Sequence, residues 1–113
     1  MPRAAILVLT QCPDRGSAQA LARALVEARL AACVSVGAAV ESLYHWRGKI
    51  EMAQEVPVVV KTCADAYASV EAAIRAHHPY ELPEIVAVPI IDGLSSYLAW
   101  IDDETRPAAA GSG

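Results

Sequence analysis

Apolar residues run almost without a break from Ala4 to Thr10, the pattern of a strand buried on both faces. Cys12-Pro13-Asp14 interrupts the run. Asp14 can cap a following helix, with Ser17 as the other candidate. Ala18, Leu21, Ala22, Leu25 and Val26 then recur at helical spacing, with Arg23, Glu27 and Arg29 mostly off that face. This spacing predicts a first helix over residues 16–30. Small and β-branched residues from Cys33 to Val40 lead into Leu43, Tyr44 and Trp46, an extended segment. Arg47-Gly48 is a turn signal, and residues 49–62 return as a second strand, densest at Val58-Val59-Val60. Together they predict one long hairpin, longer than a small domain's sheet can cover, so its outer end is expected to pack on another chain. Pro57 cannot donate to a ladder and is expected at an edge or bulge.

Tyr67, Val70, Ala73 and Ile74 mark a second helix over residues 65–77, stopped by Pro79. Residues 80–83 are a loop, and residues 85–91 a further strand in which Pro89 marks an edge or bulge. After Asp92-Gly93, the positions Leu94, Tyr97, Leu98 and Ile101 make a short third helix. The order β-α-β-β-α-β-α places two crossovers around a hairpin. The expected fold is an α+β, ferredoxin-like sandwich: a four-stranded antiparallel sheet with two helices on one face. Residues 1–106 form a single domain, and the Pro/Ala/Gly/Ser segment 107–113 is expected to be a flexible tail.

Composition narrows the possibilities. The chain has 113 residues, 55% of them apolar and many of those alanine, so the core is expected to gain from surfaces shared between subunits. A net charge of −4 argues against a general nucleic-acid binder. RNA recognition on this fold also needs sheet aromatics, and the first strand has none. No segment approaches the roughly 20 apolar residues of a membrane span. The N-terminus lacks the marks of a signal peptide, so a cytoplasmic location is expected. The three cysteines, Cys12, Cys33 and Cys63, do not form a disulfide framework or a metal-finger spacing.

Four stretches carry a resemblance. They are the strand-to-helix join Val8-Leu9-Thr10-Gln11-Cys12-Pro13-Asp14, then Leu30-Ala31-Ala32-Cys33-Val34, then the hairpin Ser42-Leu43-Tyr44-His45-Trp46-Arg47-Gly48-Lys49 running on to Glu55 and Lys61-Thr62. The last is His77-His78-Pro79-Tyr80-Glu81-Leu82-Pro83-Glu84 followed by Tyr97-Leu98-Ala99-Trp100. In this order they resemble the CutA divalent-cation-tolerance family. The resemblance implies a ferredoxin-like subunit in a tight homotrimer whose long hairpins pair with neighbours, much as in the PII signal proteins. It implies a link to tolerance of copper and other divalent cations, with copper the first metal expected, and no catalytic activity. The family's copper-binding pattern has a cysteine at the end of the first strand, where this chain has Thr10, a poorer ligand for a soft metal. Cys12 lies two positions on.

His77 and His78 are the metal candidates, since imidazole suits Cu(II), Zn(II) and Ni(II). Neighbouring side chains at a helix end diverge, so the competing reading puts one imidazolium on the terminal carbonyls and the other in solvent. Lys61 ends a valine run and needs a partner or a cleft. Glu84 or Glu55 can supply the partner as a structural ion pair. The functional alternative is an inter-subunit pocket lined by Trp46, Lys61, Tyr80, Glu84 and Trp100. Interface packing is the plain alternative for both tryptophans. Cys33 reads as a small buried hydrophobe. Cys12 and Cys63 each precede a helix, where amides can favour a thiolate. No phosphate-cradling glycine loop and no H-E-x-x-H is present, so an enzyme is not expected. Three functions remain: a metal-associated trimer, a PII-like sensor of a small anionic metabolite, and a trimeric module that signals to or anchors a protein partner.

Overall fold

The computed structural model describes residues 3–106 of the chain; the expected tail at 107–113 lies outside them. Strand β1 (Ala5–Cys12) leads into helix α1 (Arg15–Glu27), β2 (Cys33–Val36), β3 (Val40–Trp46) and β4 (Lys49–Cys63). A single 3-10 turn at Ala64–Ala66 precedes α2 (Tyr67–His77), and β5 (Ile85–Pro89) and α3 (Ser95–Glu104) complete the chain. The sheet order is β2-β4-β1-β5, every pairing antiparallel, with β3 continuing alongside β4. Each crossover skips one strand, which is the ferredoxin-like arrangement the element order predicted.

Helix α1 starts where expected. Asp14 accepts the Ser17 amide at 2.7 Å, and that bond holds its carboxyl below the usual carboxylate range. The helix ends three residues before the apolar period does, because Arg29 enters the left-handed region at φ 58. The Arg29 amide then donates to the Val26 carbonyl and that of Leu30 to the Leu25 carbonyl, both at 3.0 Å. This is a helix stop that glycine usually supplies.

The segment read as one strand from Cys33 to Trp46 is two. Val36 pairs with Val58 and Val40 with Glu55, so three residues face two between these points. Gly37 donates to the Pro57 carbonyl at 2.9 Å, and the missing amide of Pro57 falls on this bulged side. A Cβ at Gly37 would lie 2.9 Å from the Pro57 ring. Pro89 ends the edge strand β5, as its lost donor requires.

Alternation assigns the sheet's two faces. Ile6, Val8, Thr10 and Cys12, with Val56, Val58 and Val60, pack under Leu21 and Leu25 of α1 and Val70 and Ile74 of α2. The Thr10 hydroxyl is buried there without a hydrogen-bond partner among the described residues. Leu7, Leu9, Val59, Val86 and Val88 form the opposite face, where Val86 and Val88 stay 47% and 40% exposed. Beyond Glu55 the β3–β4 ribbon projects from the domain and stretches the chain to 52 Å in its longest dimension.

An ionic network ties the ends together. Arg3 bonds Asp102, Asp65 and Thr105, and Arg106 reaches the other oxygen of Asp102 at 2.7 Å. Arg3 first, then Arg106, holds the buried Asp102 carboxyl down to about 2. That lies below the unfolded-chain value near 3.9. The stabilisation is therefore full above about pH 4 and is lost as pH falls toward 2. Thermal melts between pH 5 and 2 should show an acid-induced fall that Asp102→Asn flattens; an unchanged slope would remove Asp102 as its source.

Candidate functional site

The hairpin turn begins the site. Arg47 at φ 52 and Gly48 at φ 78 form the two-residue loop whose twist suits antiparallel strands. Because side chains alternate, Ser42, Tyr44 and Trp46 share one face of β3. Opposite them, the chain leaving α2 is fastened to β1 by His78. Its Nε2–H donates to the Gln11 carbonyl, and its Nδ1 accepts the Tyr80 amide at 3.3 Å. The His78 and Tyr80 rings stand 4.5 Å apart. Residues 79–84 therefore form the second wall of a cleft of about 870 Å³.

Tyr44, Trp46 and Tyr80 supply the cleft's aromatic surface, and Glu55, Glu81 and Glu84 its carboxylates. Arg47 lies over the Trp46 ring, 5.4 Å from its centroid, and binds Glu81 at 2.7 Å. Neither Glu55 nor Glu84 joins an ion pair among the described residues. Burial first, and then the negative charge of Glu55, hold the Tyr80 hydroxyl above its ordinary value.

Of the five residues read from the sequence as a pocket, Trp46, Tyr80 and Glu84 line this cleft, while Lys61 and Trp100 do not within a single chain. Lys61 lies six residues beyond Glu55 on β4, about 20 Å along the strand. It is on the sheet face away from α1 and α2, where its ammonium bonds the Ser35 hydroxyl and lies 3.7 Å from the Cys33 sulfur. Neither Glu84 nor Glu55 pairs with it. Trp100 lies on α3 against Tyr97, ring centroids 5.5 Å apart, and is 41% exposed. Tyr44, Glu81 and the Arg47 strap were not singled out in the sequence. The i−2 relation of Tyr44 to Trp46 was the available signal.

The histidine pair is split. His78 has both ring nitrogens engaged, whereas His77 uses Nδ1 on the Ala73 carbonyl at 2.9 Å and leaves Nε2 open. Among the described residues no three His, Cys, Asp or Glu side chains converge as a metal cage. Cys12 and Cys63 are buried, and burial pushes the Cys12 thiol up, away from thiolate behaviour. Cys33 is only half-buried.

Comparison with known proteins adds the remaining fact. The family model described as CutA1 divalent ion tolerance protein matches residues 6–104.

The chain belongs to that family.

A curated relative, the divalent-cation tolerance protein CutA of Thermus thermophilus, is 41% identical over 99 residues, covering 88% of this chain and 96% of the relative. The solved CutA of Xylella fastidiosa superposes with a TM-score of 0.88 at 42% identity, covering 90% of this chain and 98% of its own. A structure from Archaeoglobus fulgidus, described as a periplasmic divalent cation tolerance protein CutA, matches with a TM-score of 0.87 at 36% identity and covers 90% of this chain and 99% of its own. The family's names concern tolerance of divalent cations and name no catalysed reaction.

Proposed function

We propose that this protein is a non-catalytic homotrimer of the divalent-cation response, which binds divalent ions, copper first, and takes a second ligand in the hairpin cleft. The observation that carries the reading is the pair of unfinished surfaces in one chain. The sheet face of Leu7, Leu9, Val86 and Val88 is apolar and carries neither α1 nor α2, and one face of the ribbon beyond Glu55 stays exposed. Leu43, Ile50 and Met52 are 67%, 71% and 64% exposed there. Surfaces of this kind are covered by association.

The lack of a three-ligand cage among the described residues is the reason to place cation binding between chains, with the open Nε2 of His77 as nitrogen donor and His78 fixing the loop that follows. The free thiols Cys12, Cys33 and Cys63 suit the reducing cytoplasm, where we place its action. No helix among the described residues is long and apolar enough to cross a membrane. Calorimetric titration with Cu(II) tests the metal part. His77→Ala should weaken binding about tenfold or more, the scale on which metal sites respond to lost support. Unchanged affinity would exclude His77.

A further inference from the structure

We infer that the cleft between β3 and residues 79–84 recognises a small organic cation of the alkylammonium class rather than an anion. The inference rests on the reading of this cleft as a ligand site and names what enters it. Three aromatic side chains, Tyr44, Trp46 and Tyr80, line one concavity with the carboxylates Glu55 and Glu84. Aromatic faces attract a cation through their quadrupole, most strongly where water is partly excluded.

The chain already performs this recognition once, on itself. The Arg47 guanidinium sits between the Trp46 ring, at 5.4 Å, and the Glu81 carboxylate, at 2.7 Å. One ring and one carboxylate of the cleft are thus satisfied internally. Tyr44, Tyr80, Glu55 and Glu84 remain as a second set of aromatic and acidic side chains lining the same cleft. Burial first, and then the negative charge of Glu55, already disfavour a negative charge on Tyr80, and both would oppose an anionic ligand in the same place. Within one chain Lys61, the cation that pointed to an anionic metabolite, lies outside the cleft lining.

A quaternary ammonium and its neutral isostere separate cation recognition from plain hydrophobic fit. The full chain, metal-free in EDTA, would be titrated by calorimetry with choline and with 3,3-dimethylbutan-1-ol, which has the same shape without the charge. Choline should saturate one site per chain, with the alcohol at least tenfold weaker. Tyr80→Leu should weaken choline about fivefold to tenfold, the range of a partly desolvated cation–π contact. Glu55→Gln with Glu84→Gln should weaken it further while leaving the circular dichroism spectrum unchanged. Equal binding of the alcohol, indifference to the Glu→Gln pair, or no choline binding would each overturn the inference. So would citrate or ATP displacing choline from the cleft. His77→Ala separates the two proposals: it should lose Cu(II) affinity and keep choline. Loss of Cu(II) binding by the wild-type chain with choline retained would sink only the metal reading.

Discussion

Val88→Lys is expected to convert the proposed trimer to monomers, read as a threefold fall in sedimenting mass at micromolar concentration. Val88 pairs with Leu7 on the sheet face opposite α1 and α2, beside Leu9 and Val86 and beyond the end that α3 covers at Ala5 and Cys63. In a single chain its side chain is 40% exposed, so a lysine there would keep its ammonium in water and cost the subunit little. If three such faces meet, each lysine must be desolvated against apolar neighbours without a counter-charge. The effective penalty is several kcal/mol per ion, repeated in every subunit. Tertiary stability and association therefore respond oppositely: the isolated domain should stay folded by circular dichroism while the assembly dissociates. A variant that sediments as the wild type does would show that this face is not where the copies meet. A wild-type chain that is monomeric would sink the trimer itself.

Leu25→Ala should lower the unfolding free energy by about 3 kcal/mol, near the middle of the range for leucine truncations in packed cores. Leu25 is fully buried on α1, in the cluster that includes Val8, Val58, Val60 and Ile74. Its neighbours belong to a sheet and to a second helix, and neither element can collapse into the space without breaking its own ladder. The cavity term therefore persists. Its carbonyl also accepts the amides of Leu30 and Ala31 in the helix stop, so any shift of this turn is transmitted to the entry of β2. Urea denaturation should show a lower midpoint with an unchanged slope. Ile91→Ala is the matched control, because Ile91 is 94% exposed and should change stability by less than about 0.5 kcal/mol. Equal effects from the two would mean that the cluster under α1 is not the core.

Local chemistry made the fold legible in the chain itself. The helical period of Ala18, Leu21 and Leu25, the cap at Asp14, the Arg47-Gly48 turn and the two marker prolines are each short-range signals, and each corresponds to a feature of the structure. The departures are also local but depend on backbone geometry. Arg29 stops α1 in a conformation that no residue type there announces. Three residues around Gly37 facing two around Pro57 divide a strand that reads as continuous. Cys33, read as a small buried hydrophobe, stands half-exposed beside an ammonium, because register and not composition sets its face.

What the sequence determined by itself was the order of elements, the family and most of the residue types that carry chemistry, since these depend on period, turn residues and short motifs. Only the tertiary structure decided which of those residues meet. Trp46 and Tyr80 are joined because His78 bonds the Gln11 carbonyl, 67 positions away in the chain. Lys61 is kept from Glu84 because β4 runs on past the cleft, and His77 is parted from His78 because their ring nitrogens bond different carbonyls. Such contacts are fixed by the register of strands distant in sequence, and a single chain's pattern specifies the faces of those strands without specifying what lies across from them.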